Sequence, residues 1–249
     1  MKLIVLAAGY ATRLYPLTLD RPKALLPVAG RPMVEHVLDR VAAIGEIDGL
    51  YLVTNAKFAG HFREWAAGYR PSRALAVTIV DDGTTDDATR LGAIGDLELV
   101  VSSEGVDDDI VVVAGDNLFT ETLEDFGRFG REKDAPVLAV YDVGTLEAIR
   151  RYSAIEIDES GRITSFEEKP AEPRSTLTGI ALYFYPRSAL PLVRRYLEEG
   201  NNPDQPGRLV EWLYRRTPVY TWRVPGLWYD IGSEETLREA DRMLGERGR

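Results

Sequence analysis

The segment from Gly9 to Thr18 combines a turn of small residues with one arginine, and a lysine follows ten positions after that arginine. Small residues leave backbone N–H groups open to a ligand, the guanidinium of Arg13 can bind two oxygens at once, and Lys23 adds a compact positive charge. These groups suit phosphate oxygens. An ordinary loop with a solvated Arg and Lys fits the same residue types equally well, and the segment follows neither the G-x-x-x-x-G-K-S/T nor the G-x-G-x-x-G pattern.

Two aspartates stand at or near the end of an apolar run, where a carboxylate has no packing role. Asp116 comes two residues after the run 110–114, and Asp230 lies within the run 227–231. In an open parallel sheet, ligands bind beyond the carboxyl ends of the strands. Mg²⁺ prefers oxygen ligands and is commonly held by one or two carboxylates together with substrate phosphates. Asp116 and Asp230 are therefore candidate metal ligands, and for Asp116 a turn-forming or helix-capping role is the alternative.

The spacing of apolar residues predicts the elements that position these side chains. Four strand-then-helix steps in the first half predict a parallel sheet with helices on both faces, and strands with a hairpin turn at 159–162 dominate the start of the second half. The predicted strands are 2–7, 50–54, 75–80, 110–114, 137–143, 154–158, 163–168, 177–185, 218–222 and 227–231. The predicted helices are 32–44, 57–67, 88–101, 188–199, 207–215 and one that begins at Glu234.

These elements predict an α/β fold with an open, mostly parallel twisted sheet and a β-rich insertion. No repeat or low-complexity linker interrupts the chain. We therefore expect one domain over residues 1–249, with a first half at about 1–135 and a second half at about 136–249 that is built on the same sheet.

Composition excludes several classes of protein. The 249 residues include no cysteine, which excludes disulfides, thiolate metal sites and catalytic thiols, and the net charge of -10 argues against nucleic acid or an anionic membrane as a partner. The apolar N-terminal run is too short to span a membrane, so we expect a cytoplasmic protein. Charge is uneven: residues 1–40 carry six basic and three acidic groups, whereas residues 81–109 carry ten acidic groups and one arginine.

Five motifs occur in order along the chain: L-A-A-G-x-x-T-R-L-x-P-L-T with P-K-x-L-L-P-V, then G-D-N at 115–117, F-E-E-K-P at 166–170, A-L-Y-F-Y at 181–185 and W-Y-D-I-G at 228–232. Over nearly its whole length the sequence resembles the sugar-phosphate nucleotidylyltransferases, the family of glucose-1-phosphate thymidylyltransferase. The resemblance implies a Rossmann-like nucleotidyltransferase fold with a β-rich sugar-binding insertion, and it favours phosphate binding for the first loop.

The resemblance also implies roles for individual residues. It implies that Asp116 and Asp230 bind Mg²⁺ and that Arg13 binds the triphosphate and the leaving group. It also implies that Lys23 binds the phosphates at the reacting centre and that Lys169 binds the sugar phosphate. The other implied nucleotide-binding residues are Leu6, Ala7, Ala8, Gly9, Ala11, Thr12, Asp82 and Gly83. The other implied sugar-binding residues are Asn117, Glu168, Gly179, Tyr183 and Trp228.

Three departures from the family pattern bear on specificity. Ala11 replaces the second glycine of G-x-G-T-R, which strains the loop if that position needs a positive φ. The run from Asp81 to Asp87 replaces the base-reading Q-x-x-P-x-G, so the base stays open. Ser153 replaces a glycine whose backbone approaches the sugar, so the sugar stays open too. The chain also lacks the family's longer C-terminal tail, from which we expect a monomer or homodimer.

The sequence thus predicts an enzyme that joins a sugar 1-phosphate to a nucleoside triphosphate and releases pyrophosphate. A cytidylyltransferase that acts on inositol or choline phosphate and a non-catalytic nucleotide-sugar-binding regulatory subunit are the alternatives. A glycosyltransferase is disfavoured, because Asp116-Asn117 lacks the D-x-D form at that strand end.

Overall fold

The computed structural model describes residues 1–70 and 75–247, and these residues form thirteen strands and eight α-helices. The strands are β1 (Lys2–Leu6), β2 (Pro27–Val28), β3 (Arg31–Pro32), β4 (Gly49–Thr54), β5 (Val77–Asp81), β6 (Ile110–Ala114), β7 (Asn117–Phe119), β8 (Val137–Asp142), β9 (Ser153–Ile157), β10 (Ile163–Glu168), β11 (Leu177–Tyr185), β12 (Tyr220–Arg223) and β13 (Trp228–Asp230). The helices are α1 (Met33–Val41), α2 (Ala56–Gly68), α3 (Ala93–Ser103), α4 (Glu124–Lys133), α5 (Leu146–Ile149), α6 (Leu190–Glu198), α7 (Pro206–Leu213) and α8 (Glu234–Arg247).

Seven strands form one central sheet in the order β12-β8-β11-β6-β1-β4-β5. β1 pairs in parallel with β4 and β6, β4 with β5, and β8 with β12, whereas β11 runs antiparallel to both of its neighbours. The predicted hairpin of β9 and β10 forms a separate antiparallel pair. The expectation of an open, mostly parallel sheet is confirmed, and both halves of the chain contribute strands to it.

Helices cover both faces of this sheet, as the apolar strands require. Along β1, Leu3 and Val5 point into one buried cluster and Ile4 points into the other. Helices α1, α2, α4 and α8 supply the first cluster, and α3, α6 and α7 supply the second. Because side chains alternate along a strand, each central strand joins the two cores.

Two expectations about helices were wrong or incomplete. The helix expected over 88–101 begins only at Ala93, because Asp86 accepts hydrogen bonds from the N–H groups of Ala88 and Thr89 and Gly92 has a φ of 80°. Helix α4 was not expected, since Gly127 and Gly130 weaken helical propensity. In the fold these glycines allow close packing: a Cβ at Gly130 would lie 2.3 Å from the ring of Phe184.

Among the described residues, no helix combines the length and the apolar character that crossing a membrane requires.

Candidate active site

Asp116 and Asp230 lie side by side because two short strands pair. β13 runs antiparallel to β7 with Asp230 opposite Asn117, the residue after Asp116. Lys23 Nζ donates to Asp116 Oδ2 at 2.5 Å, and Asn117 Nδ2 donates to Asp116 Oδ1 at 3.0 Å. The structure therefore brings together both predicted carboxylates and one predicted lysine, across 207 positions of the sequence from Lys23 to Asp230.

The electrostatics of the pair are those of two close carboxylates inside a cleft. The side chain of Asp230 is exposed and opens into the cleft. The cleft walls keep part of the surrounding water away, and this desolvation, and then the negative charge of Asp116, raises the pKa of Asp230, whereas the positive charges of Lys23 and Arg13 lower it. A cation between the two carboxylates would relieve their repulsion.

The loop after β1 lines two connected cavities. A cavity of about 160 Å³ is bounded by Leu6, Ala7, Gly9, Ala11, Lys23, Ala24 and Asp116. A second, of about 340 Å³, has walls that include Leu6, Ala8, Gly9, Arg90, Gly92, Asp96, Asp116 and Asp230. Six of the residues expected to bind nucleotide thus face these cavities. Thr12 and Arg13 lie exposed in a single helical turn, Thr12–Leu14, and Asp82 and Gly83 follow β5 outside both linings.

Ala11 adopts the conformation in which its methyl group is strained. Its φ is 50° and its ψ is 43°, the left-handed region that favours glycine. The loop holds this conformation with two hydrogen bonds, because the Thr18 hydroxyl and the Leu14 N–H donate to Ala11 O at 2.8 and 2.9 Å. In this chain the position therefore has a positive φ, with a methyl group where glycine would carry no strain.

A third cavity, of about 320 Å³, lies on the other side of Asp230. Its walls include the expected residues Asn117, Glu168, Gly179, Tyr183 and Trp228. Trp228 Nε1 donates to Asn117 Oδ1 at 2.7 Å, and the ring of Tyr152 packs edge-on against Trp228 with centroids 5.8 Å apart. The indole and phenol rings form a partly buried aromatic wall, which suits the apolar face of a sugar ring.

Glu168 and Lys169 stand at the end of β10, beside this cavity. Lys169 has a left-handed φ of 47°, and its N–H donates to Tyr152 O at 2.9 Å. Partial desolvation beside the cavity raises the pKa of Glu168 above its ordinary value, and the charges of Lys169 and Arg208 offset part of this rise. Glu168 lines the cavity, whereas Lys169 lies next to it in sequence, at a backbone position that bends the chain.

Two wall residues, Ser153 and Asp96, were not among the binding residues expected from the sequence. Ser153, a departure from the family pattern, lines the third cavity, and its hydroxyl accepts a hydrogen bond from the Gly179 N–H at 3.2 Å. Asp96 lines the second cavity and is only 5% exposed. A carboxylate on the buried face of a helix, between the apolar residues Ile94 and Leu97, was the available signal for Asp96.

The donor set fits a magnesium ion better than a self-contained metal site. Within residues 1–70 and 75–247, no group of three or more His, Asp or Glu side chains is arranged to hold a metal. Asp116 and Asp230 provide two carboxylates at the meeting point of the cavities. This matches the usual way in which Mg²⁺ is held, by one or two carboxylates with phosphate and water completing its shell.

A model of the nucleotidyl transferase family matches residues 2–247. The bifunctional protein GlmU of Methanocaldococcus jannaschii is 25% identical over 98% of this chain and 54% of its own length, so this chain spans about half of that relative. The UTP–glucose-1-phosphate uridylyltransferase AglF of Haloferax volcanii is 27% identical over 99% of this chain and 97% of its own. A structure of UDP-glucose pyrophosphorylase complexed with UDP-glucose superimposes with a TM-score of 0.81 at 20% identity, covering 99% of this chain and 98% of that one.

Proposed function

The chain belongs to the nucleotidyl transferase family, and we propose that it condenses a sugar 1-phosphate with a nucleoside triphosphate to give a nucleoside diphosphate sugar and pyrophosphate. One observation carries this proposal: the cavity beyond β1 and the cavity walled by Tyr152 and Trp228 meet at Asp230, and both are lined by Asn117 and Asp230. Two ligands that occupy the two cavities would have their reacting groups at this junction.

The reaction is an in-line displacement at the α-phosphorus. An oxygen of the sugar phosphate forms a new P–O bond, the bond from the α-phosphorus to the bridging oxygen of the β-phosphate breaks, and its electron pair leaves with pyrophosphate. The nucleophile is already ionised at neutral pH, so no general base is needed. Because two polyanions must meet, catalysis depends on charge neutralisation and alignment.

Each charged residue has a distinct task in this proposal. Arg13 binds the triphosphate and the leaving pyrophosphate, Lys23 binds the phosphates at the reacting centre, and Lys169 binds the phosphate of the sugar. Asp116 and Asp230 hold Mg²⁺, which supplies positive charge and orients phosphate oxygens when it is bound. Lys23 Nζ lies 2.5 Å from Asp116 Oδ2, so its ammonium stands beside the carboxylate that would hold the ion and, through it, the phosphates.

The remaining parts of the proposal follow the same division. Residues of about 1–135 bind the nucleotide and residues of about 136–249 bind the sugar phosphate, within one domain. We propose that the enzyme works in the cytoplasm as a monomer or homodimer. A tetramer measured by light scattering would contradict the proposed monomer or homodimer.

Pyrophosphate release tests the function directly. We expect release only when a nucleoside triphosphate, a sugar 1-phosphate and Mg²⁺ are all present, measured across a panel of triphosphates and phosphorylated acceptors. Inositol phosphate and choline phosphate belong in the panel, because turnover with them alone would favour a cytidylyltransferase of alcohol phosphates. Release at the same rate without any acceptor would refute the proposal.

A further inference from the structure

The segment 201–205, which joins α6 to α7, forms part of the walls of both the second and the third cavity. Asp204 lines the second cavity, Gln205 lines the third, and Pro206, the first residue of α7, lines both. Because one stretch of backbone serves both cavities, a contact that fixes this stretch beside the second cavity also fixes the wall of the third.

Backbone hydrogen bonds attach this segment to the start of α3. The Ile94 N–H donates to Pro203 O at 2.8 Å, and the Ala93 N–H donates to Asp204 O at 3.4 Å. The second bond is longer than a typical N–H···O bond, so backbone contacts hold Pro203 more firmly than Asp204. The position of Asp204, and of the chain that follows it, therefore depends on a side-chain contact.

That contact comes from Arg90, in the loop before α3. Its Nε and Nη2 atoms donate to Asp204 Oδ1 and Oδ2 at 2.8 and 3.1 Å, and its Nη1 atom donates to Asp87 O at 3.0 Å. Two parallel N–H···O bonds between a guanidinium and a carboxylate fix both distance and direction. Arg90 therefore ties the loop before α3 to the segment 201–205.

Arg90 also lines the second cavity, so direct binding of a nucleotide phosphate is the alternative role. Each of its three guanidinium nitrogens already has a protein oxygen as partner, which directs its charge toward Asp204 and Asp87. The side chains of Arg90 and Asp204 are 41% and 39% exposed, and an ion pair so exposed contributes little to the stability of the whole fold. The contact is therefore suited to holding a loop in place.

We propose that Arg90 is a positioning residue for the sugar phosphate, although it lines the cavity of the nucleotide. Through Asp204 it holds the segment whose next residues, Gln205 to Gly207, wall the third cavity. Without the ion pair, this wall becomes ordered only when the sugar phosphate binds, and the cost of that ordering weakens binding. This inference rests on the proposed function, because it assumes that the third cavity receives the sugar phosphate.

The test compares both Michaelis constants of the wild-type protein with those of Arg90→Ala, Asp204→Ala and the double variant. We expect each single variant to raise the constant for the sugar phosphate at least about fivefold, and to raise the constant for the nucleoside triphosphate by less. The double variant should match the worse single variant, because both residues act through one contact. Turnover at saturation should stay within about threefold of wild type, since the reacting groups meet at Asp116 and Asp230.

The matched control is Arg194→Ala. Arg194 Nε donates to Glu98 Oε1 at 2.8 Å, so this pair also links α6 to α3, but its residues line neither of the two cavities. Both Michaelis constants should therefore stay at their wild-type values. Circular dichroism and the melting temperature verify that every variant is folded.

Hydrogen exchange tests the positioning step without turnover. The N–H groups of Ala93 and Ile94 donate to the segment 201–205, so their exchange rates report its attachment to α3. Both groups should exchange at least about threefold faster in Arg90→Ala and Asp204→Ala, and at the wild-type rate in Arg194→Ala.

Three results would overturn the inference: an unchanged Michaelis constant for the sugar phosphate in a folded Arg90→Ala protein, losses that multiply in the double variant, or a larger rise for the triphosphate than for the sugar phosphate. The last result would assign Arg90 to the nucleotide. Failure of the proposed function gives a different result, which is no pyrophosphate with any pair of substrates. In that case, unchanged hydrogen exchange in Arg90→Ala refutes the positioning step by itself.

Discussion

At the scale of single residues, the backbone of Ala11 offers a direct measurement of loop strain. A left-handed φ at a residue with a Cβ costs roughly 1 kcal/mol. We therefore expect Ala11→Gly to raise the free energy of unfolding by about 0.5–1 kcal/mol, although the same exchange normally destabilises. Urea titration measures the change.

The matched control is Ala66→Gly in α2, where the backbone is helical. This variant should lose about 0.5–1 kcal/mol, because glycine costs that much in a helix. If both glycines destabilise by the same amount, the left-handed conformation of Ala11 contributes no strain.

We expect Lys169 to affect the binding of the sugar phosphate but not that of the nucleotide. Lys169→Met keeps the length of the side chain and removes the ammonium, which binds phosphate as a point charge. The Michaelis constant for the sugar phosphate should rise at least about tenfold, with slower turnover, while the nucleotide dissociation constant stays within a few-fold. Equal loss of both affinities would assign the lysine to the nucleotide instead.

Site residues could be predicted from the sequence where they belong to a motif. Asp96 is a wall residue that no motif identifies. Asp116, Lys23 and Asp230 belong to quoted motifs, and the structure brings them to one place. Asp96 belongs to no motif, and its place in the wall of the second cavity follows only from the fold.

At the scale of elements, the pairing of β7 with β13 makes one site of two distant aspartates. Asp116→Asn and Asp230→Asn keep shape and remove charge, so each should slow turnover at least about a hundredfold, roughly 2.7 kcal/mol in barrier, if both hold one Mg²⁺. The double variant should cost little more than the worse single variant, because groups that act as a unit are not additive.

Turnover against Mg²⁺ concentration, with circular dichroism as the folding control, measures this for all four proteins. Losses that multiply in the double variant would show that the two carboxylates act independently.

Because Asp96 is buried in the first turn of α3, we expect the free energy of unfolding to depend on pH. Burial, and then the charge of Asp82, raises the pKa of Asp96 from its ordinary 3.8 to about 8 in the fold, so the stabilisation from its neutral form is complete below pH 3.8 and is lost as the pH rises toward 8. Asp96→Asn does not titrate. Relative to wild type it should therefore gain little near pH 4 and on the order of 3 kcal/mol near pH 8, measured by urea unfolding at both values. A constant difference across this range would show that Asp96 is ionised in the fold.

Elements were predictable where the apolar spacing was strong. β1, β6 and β11 lie within a residue of expectation, because each is a continuous apolar run in a buried sheet. β7 was not expected, since three residues after a tight turn carry no periodicity, and its strand conformation depends on β13, 111 positions later in the chain.

At the scale of the whole molecule, the shared sheet predicts one cooperative transition. β8, β11 and β12 of the second half extend the sheet that β6, β1, β4 and β5 begin, so neither half completes its core alone. Trp65 lies in the first half, and the other three tryptophans lie in the second. Fluorescence of wild type and of Trp65→Phe should give the same unfolding midpoint as far-UV circular dichroism. Two separated transitions would divide the chain into independent domains.

The backbone of Gly92 packs directly against the backbone of residues 203–204. A Cβ at Gly92 would lie 2.7 Å from Pro203 O, so the loop before α3 and the loop before α7 fit each other at backbone level. Replacing the loop 82–92 with that of a relative therefore changes only one of two segments whose backbones pack against each other. If the loop 82–92 contacts the base, as the sequence predicts for the segment after β5, such chimeras should acquire a new base preference only when residues 201–206 come from the same donor, more than a hundred positions away in the sequence.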